Sequence, residues 1–291
     1  MSDYTINVHG RLLSLARPAV MGILNCTPDS FFAGSRKQAE KDIAERANQI
    51  VAEGGTIIDV GAFSTRPGAA EVSEEEEMAR LRHALPVVRR EQPDVALSVD
   101  TYRPDVARMA VEEFGADIIN DVSEGGITGI VDTPLAEPLD DGSPYPAIFR
   151  MVAQLRVPYI LMSVRSNLRD MIYHFSREVQ QLRDLHVADI ILDPGYGFGK
   201  TVEENYAVLR GQRELKALGL PILAGLSRKR LVWKPLGITA DEALNGTTVV
   251  DTLALLGGAD ILRVHDVKAA VEAVTLVGMA TSPAVPEGKK G

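Results

Sequence analysis

The chain holds a single cysteine, Cys26, among 291 residues. One thiol excludes an intrachain disulfide and a cysteine-rich metal site, and it suits a reducing compartment. Positive charge is scarce too: 31 lysines and arginines stand against 40 acids, a formal net charge of −9. An acidic field makes nucleic acid and anionic membrane poor partners, so an anionic ligand must be met by a local cluster of cations. No apolar run approaches the roughly 20 residues of a membrane span. The opening "MSDYTINVHGRLL" lacks a basic segment leading into an apolar core, so a cytoplasmic location is expected rather than secretion. A phosphate loop is also lacking. "LDPGYGFGKT" (192–201) ends in Gly-Lys-Thr, but the position where that motif needs its first glycine is Pro194. Proline supplies neither the left-handed turn nor the N–H of a phosphate cradle. Gly195, Gly197 and Gly199 fall at every second residue, which fails the dinucleotide pattern as well.

What the chain has is repetition. Eight short, almost continuously apolar runs recur along it: "AVMGILN", "TIIDVG", "VALSVDT", "DIINDV", "PYILMS", "DIILDPG", "PILAGLS" and "DILRVHD". Such runs suit strands buried on both faces of a parallel sheet. The segments between them read as helices. Pro104 sits at a first-turn position with Gly115 as a stop, and Ser73 precedes an acidic first turn that finishes on Arg89 and Arg90. Eight βα units spaced about 34 residues apart predict a closed (β/α)8 TIM barrel of the α/β class, a doubly wound open sheet being the alternative. "YTINVHGRLLSL" predicts a short N-terminal β-hairpin turning at His9-Gly10, placed to plug the barrel floor. One domain over 1–280 and a flexible tail over 281–291 follow. The stretch 123–146 is long for a βα connection and reads as a lid or an irregular insertion.

Nearly every run ends on a polar group: Asn25, Asp59, Asp100, Asn120 with Asp121, Ser163, Asp193, Ser227 with Arg228 and Lys229, and Arg263 with His265. In a parallel barrel the strands' C-terminal ends meet at one face, where the chemistry sits. The set therefore predicts one pocket. The acids and the amide come from one group of strands and the cations from the last two, so they are expected on opposite walls. A ligand with a phosphate at one end and an N–H-rich, guanidine-like heterocycle at the other fits that division. Each residue has a plainer reading as a helix cap or a satisfied turn. Asp59 reads as a structural acid, Cys26 and Trp233 as packing residues, and His9, His83, His174 and His186 as surface or helix positions.

Seven stretches then carry a resemblance: "MGILNCTPDSF" (21–31), "STRPGA" (64–69), "SVDT" (98–101), "INDV" (119–122), "DPGYGFGKT" (193–201), "SRK" (227–229) and "RVHDV" (263–267). In that order they resemble the dihydropteroate synthase family over about residues 20–270. The resemblance implies a transferase that joins 6-hydroxymethyl-7,8-dihydropterin diphosphate to p-aminobenzoate, releasing diphosphate in folate synthesis. It also implies Mg2+ and a homodimer. Carried over by position, Asp100, Asn120 and Asp193 would hold the pterin beside Lys229, and Asn25 would bind Mg2+. Arg263, His265 and Thr65 would hold the diphosphate. Pro67 and Phe198 would flank the aminobenzoate ring, with Arg66 and Arg230 also lining the substrate site. The implied catalytic set is Lys229, Asp193, Arg263 and His265. The loops carrying Thr27–Phe32 and Ser64–Gly68 would close over it.

The chain departs from the family pattern at several positions. Phe32 and Ala33 stand where an acid is usual, Ala62-Phe63 replaces Gly-Glu, Ser163 lies where a His-Met stretch is common, and Arg230 replaces a serine near the aminobenzoate carboxylate. These departures motivate a runner-up, a paralogue that binds pterin diphosphate without efficient condensation. A pterin-dependent methyl carrier and a Schiff-base aldolase using Lys229 are the remaining alternatives.

Overall fold

The computed structural model describes residues 4–26, 36–62, 72–125 and 142–282. Thr65, Arg66, Pro67, Phe63, the segment 27–35 with Phe32 and Ala33, most of the 123–146 insertion and the tail beyond Ser282 lie outside these.

A two-stranded antiparallel hairpin, β1 (Thr5–Val8) and β2 (Arg11–Ser14), turns at His9 and Gly10, both with positive φ. Eight strands follow: β3 (Ala19–Asn25), β4 (Ile57–Gly61), β5 (Ala96–Asp100), β6 (Ile118–Asp121), β7 (Tyr159–Met162), β8 (Ile190–Asp193), β9 (Leu223–Ala224) and β10 (Ile261–Val264). All pair in parallel, in the order β8-β7-β6-β5-β4-β3-β10-β9. A parallel bridge between Leu192 and Ile222 joins the two ends of that order. The result is a (β/α)8 barrel. Its helices are α1 (Arg36–Ala52), α2 (Glu74–Glu91), α3 (Pro104–Phe114), α4 (Ala147–Leu155), α5 (Leu168–Asp184), α6 (Val202–Gly211), α7 (Arg230–Leu236), α8 (Leu244–Leu256) and α9 (Val267–Thr281). The last runs one residue into the stretch expected to be a tail. Among the described residues no helix is long and apolar enough to cross a membrane.

The local signals act as their chemistry dictates. Ser73 Oγ accepts from Glu76 N at the start of α2. Pro104 opens α3, and Gly115 closes it in the left-handed region at φ 65°.

Alternate strand residues face the barrel axis. At the floor these are Met21, Ile57, Ala96, Ile118, Ile160, Ile191, Leu223 and Ile261, one from each strand, clustered with Ile6, Val8 and Leu15 of the hairpin segment. The hairpin is thus the plug expected of it. His9 Nδ1 lies 2.6 Å from Asp117 Oδ1, while Asp117 Oδ2 accepts from Leu97 N and Arg89 Nη2, fastening hairpin, β5 and α2 together. The outward parity meets the helices. There Gly22 lets α1 approach so closely that a Cβ on it would stand 2.5 Å from Ile50.

Candidate functional site

Two residues above the floor, the same inward parity carries Asp59, Ser98, Asn120, Asp193 and Arg263, and one step higher Asn25, Asp100 and His265. The register places these side by side: Asn25 opposite Gly61, Gly61 opposite Asp100, Asp100 opposite Asn120. Here the apolar core gives way to a polar ring at the barrel's C-terminal mouth, buried at Asp59, Ser98, Asp100, Asn120 and Asp193, half-buried at Arg263 and His265 and exposed at Asn25.

Arg263 is its hub. Nε donates to Asp59 Oδ2 at 2.6 Å and Nη2 to Asp100 Oδ2 at 2.8 Å. Asp59 also accepts from Ser98 Oγ (2.6 Å) and Asn120 Nδ2 (3.2 Å). Asp59 is therefore the acid that aligns Arg263 and Asn120, a centrality that the residue string alone does not reveal beyond its inward position in "TIIDVG". Burial pulls Arg263 down, but the carboxylates of Asp59 and Asp100 prevail and hold its pKa above the ordinary arginine value. Burial pushes Asp100 up, with Arg263 opposing.

Asp193 and Lys229 form the second charged group. Burial raises the Asp193 pKa, opposed by Lys229. Its Oδ1 accepts from Gly195 N at 2.8 Å. The Lys229 side chain crosses the backbone of Gly197, where a Cβ would stand 2.9 Å from Cδ, and its ammonium donates to Tyr196 O and lies 4.5 Å from the Phe198 ring centroid. Burial lowers Lys229 to about 7. His265 is lowered to about 4, first by burial and then by Arg263, so its imidazole is neutral near pH 7. Its Nδ1 lies 3.1 Å from Ser227 Oγ, which also accepts from His265 N, leaving Nε2 for other contacts.

Three expectations change. The cations and acids do not divide between opposite walls: both arginine bonds end on carboxylates, so charge is compensated locally. Asp121 leaves the mouth, because the residue after an inward Asn120 points outward. Its carboxylate accepts from Ser123 N and Oγ, Gly125 N and Tyr159 OH and shapes the start of the β6–α4 connection. Arg228 leaves it too, turned by a φ of 54° into a two-bond pair with Asp266 at 2.8 Å each. Arg230 opens α7 with an exposed side chain. Ser163 is buried beneath the glycine loop, where its Oγ accepts from Arg165 N.

The loop 193–201 has an inverted polarity for a phosphate cradle. Gly195, Gly197 and Gly199 all have positive φ, and a Cβ on Gly195 would stand 2.1 Å from Ser163 O. The loop turns carbonyls inward, and Lys200 Nζ donates to Ser163 O, Gly195 O and Phe198 O at 3.0–3.3 Å. Asn205, a residue with no signal in the sequence, accepts from Gly197 N and donates to Lys200 O and Thr201 O. Arg46 is another: from α1 it donates to Ile23 O and His265 O and braces the ends of β3 and β10.

Two buried acceptors, Asp100 Oδ1 and Asn120 Oδ1, make no hydrogen bond among the described residues. Adjacent orphaned acceptors at the mouth suit a donor-rich planar heterocycle. Asn25 Oδ1 and Asp100 Oδ2 both border Gly61: a Cβ on it would stand 3.4 Å from the first and 3.9 Å from the second. Hard oxygen ligands of that kind fit Mg2+.

The match to known proteins covers the same elements. Residues 21–265 match the model for the pterin binding enzyme family. The chain is 37% identical over 285 residues to the dihydropteroate synthase of Escherichia coli K12, covering 92% of this chain and 93% of that protein. It is 39% identical over 271 residues to the Synechocystis enzyme of the same name, covering 87% and 86%. It also superimposes on the Xanthomonas albilineans dihydropteroate synthase solved with 4-aminobenzoic acid. The TM-score is 0.81 at 34% identity, over 97% of this chain and 100% of that one.

Proposed function

The chain belongs to the pterin binding enzyme family, and from that premise we infer that it is a transferase with the dihydropteroate synthase activity. It condenses 6-hydroxymethyl-7,8-dihydropterin diphosphate with p-aminobenzoate to give 7,8-dihydropteroate and diphosphate, a step of folate synthesis. The observation that carries this reading at the level of the site is the pair of orphaned acceptors on Asp100 and Asn120, set beside Asp193 and Lys229. Together these offer the pattern that a pterin's adjacent N–H donors and carbonyl require.

In the reaction the bond between the hydroxymethyl carbon and the diphosphate oxygen breaks, and its electron pair leaves with diphosphate. The arylamine lone pair forms the new C–N bond, and the amine proton passes to water. No nucleophilic side chain is needed. Asp100, Asn120 and Asp193 orient the pterin, with Lys229 at its carbonyl edge. Arg263 aligns Asp100 and, with His265 Nε2, faces the diphosphate, where the family resemblance adds Thr65. Phe198 and Arg230 serve the aminobenzoate side, to which the family resemblance adds Arg66 and Pro67. Asn25 would hold Mg2+, which supplies positive charge to the diphosphate oxygens. Groups aimed at developing charge are typically worth about 10²–10³ in rate each.

The substrates are small molecules, and the cytoplasm, where thiols stay reduced, suits an enzyme with a lone cysteine. We also propose a homodimer through α8 and α9. Among the described residues, six of the nine large exposed apolar ones lie there: Leu244, Val249, Leu253, Leu256, Leu276 and Met279. Val249, Leu253 and Leu256 recur at one-face helical spacing. Light scattering should show a dimer for the native chain and a monomer for Leu253→Glu with Leu276→Glu. No described residue favours the non-condensing paralogue. Diphosphate release from the pterin substrate, followed with and without p-aminobenzoate, tests the main reading. Amine-dependent release is expected, and pterin binding without it would overturn the assignment.

A further inference from the structure

Outside the mouth, three residues of metal-ligand type gather between the β6–α4 connection and α5. Glu124 follows β6, and His174 and Glu178 stand one turn apart on α5. One ligand atom from each lies within 4.8 Å of the others. Glu124 and Glu178 are both buried, and His174 is half-buried. Glu124 adopts a φ of 55°, a region that costs a non-glycine residue energy, and this conformation brings its carboxylate to α5. It accepts from Arg165 Nε at 2.9 Å and Val164 N at 3.3 Å, both in the connection between β7 and α5. Glu178 Oε2 is buried and makes no hydrogen bond among the described residues.

Two carboxylates sharing a desolvated site cannot both stay ionised unless positive charge lies between or beside them. Arg165 compensates one of the two. The second calls for either a shared proton or a cation. A shared proton would use the free Glu178 oxygen but not His174, so the imidazole one turn before Glu178 is what favours a cation. We propose that Glu124, His174 and Glu178 form a divalent transition-metal site of the Zn2+ type, separate from the diphosphate-binding mouth.

A mixed nitrogen and oxygen set suits Zn2+, Co2+ or Mn2+ better than Mg2+, which prefers oxygen alone in strict octahedral geometry. Tetrahedral Zn2+ with bonds of about 2.0–2.2 Å sets ligand atoms about 3.3–3.6 Å apart. From separations of at most 4.8 Å the atoms need to close by no more than about 1.5 Å, within reach of rotamer changes on two residues that already share a helix face. Water completes the shell. The ion ties the segment leaving β6 to α5, a bracing role that requires no change in the reaction.

The test uses the full-length chain without an affinity tag, in excess Mg2+ so that the hard-oxygen site is filled. Equilibrium dialysis with Zn2+ and optical titration with Co2+ should each give one tight equivalent, the Co2+ spectrum showing low-symmetry four- or five-coordination. His174→Ala and Glu178→Gln should each weaken binding by more than about tenfold, the low end for disturbing even outer-shell partners. Zn2+ should raise the melting temperature of the native chain only. His174→Ala alters a half-buried side chain and decides the matter alone if Glu178→Gln does not fold. No stoichiometric binding, or binding that His174→Ala leaves unchanged, would overturn the site and show that a shared proton suffices.

Discussion

The floor and the mouth of this barrel are built from the same strands, on the same inward parity, two residues apart. At the floor Ile57, Ile118, Ile160, Ile191 and Ile261 interlock and the hairpin seals them from water. At the mouth the equivalent positions carry Asp59, Asn120 and Asp193, also buried, and Arg263, half-buried, held by charge compensation and hydrogen bonds. The floor is satisfied within itself. The mouth retains two orphaned acceptors, Asp100 Oδ1 and Asn120 Oδ1, and a lysine that burial has brought to about 7. Local dissatisfaction of this kind costs stability and is characteristic of a site shaped for a ligand. The comparison teaches that shape and charge do separable work on one scaffold, and substitutions on each layer can show whether they separate.

The largest effect is expected for Arg263→Ala. It leaves Asp59 and Asp100 facing each other without their cation, and breaking a buried pair costs about 3–5 kcal/mol. Denaturant unfolding and kcat/KM should fall together. A variant of native stability would show that Asp59 and Asp100 do not depend on this arginine. The floor gives the contrast: Ile57→Ala should cost about 2–5 kcal/mol of stability while the folded fraction keeps its kcat. A change in kcat per folded molecule would mean that the two layers are mechanically coupled.

How much of this could be read from residues alone follows from the same division. The eight apolar runs, the His9-Gly10 turn and the Pro104 and Gly115 boundaries rest on local signals, and the structure has each where expected. The strand-end polar residues were legible as a set because parallel strands deliver their ends to one face. Which of them point inward was not, since that depends on parity: Asn120 enters the mouth and Asp121 turns to Tyr159. Pairing was still less legible. That Arg228 belongs to Asp266, and Arg263 to Asp59 and Asp100, depends on contacts across 38, 204 and 163 residues of chain. Asn205 and Arg46 act on backbone carbonyls, which leave no mark in sequence.

A smaller effect concerns protons. Lys229 has a folded pKa of about 7, below its usual value, so it loses its charge as the pH rises through 7. An anionic pterin diphosphate favours the charged form and raises that pKa. Binding should therefore take up close to one proton at pH 8 and far less at pH 6, and affinity should weaken by up to about tenfold per pH unit above 7. Calorimetry in buffers of different ionisation enthalpy measures the uptake, and Lys229→Met should abolish it. Equal uptake in that variant would assign the proton to another group.

The smallest effect bears on the Lys200-Thr201 pair that mimics a nucleotide loop. Thr201 Oγ1 accepts from Glu204 N and Glu204 Oε2 accepts from Thr201 N, a reciprocal cap on α6. In a nucleotide loop that hydroxyl would ligate a metal and its removal would abolish activity. Here it satisfies helix N–H groups, and losing such a cap costs about 1 kcal/mol. Thr201→Ala should thus lower stability by about that much and leave kcat nearly unchanged, since the loop carbonyls are still gathered by Lys200 and Gly197 N is still held by Asn205. A loss of activity well beyond the loss of stability would place the hydroxyl on the mouth side of the comparison, where groups serve the ligand, instead of the scaffold side.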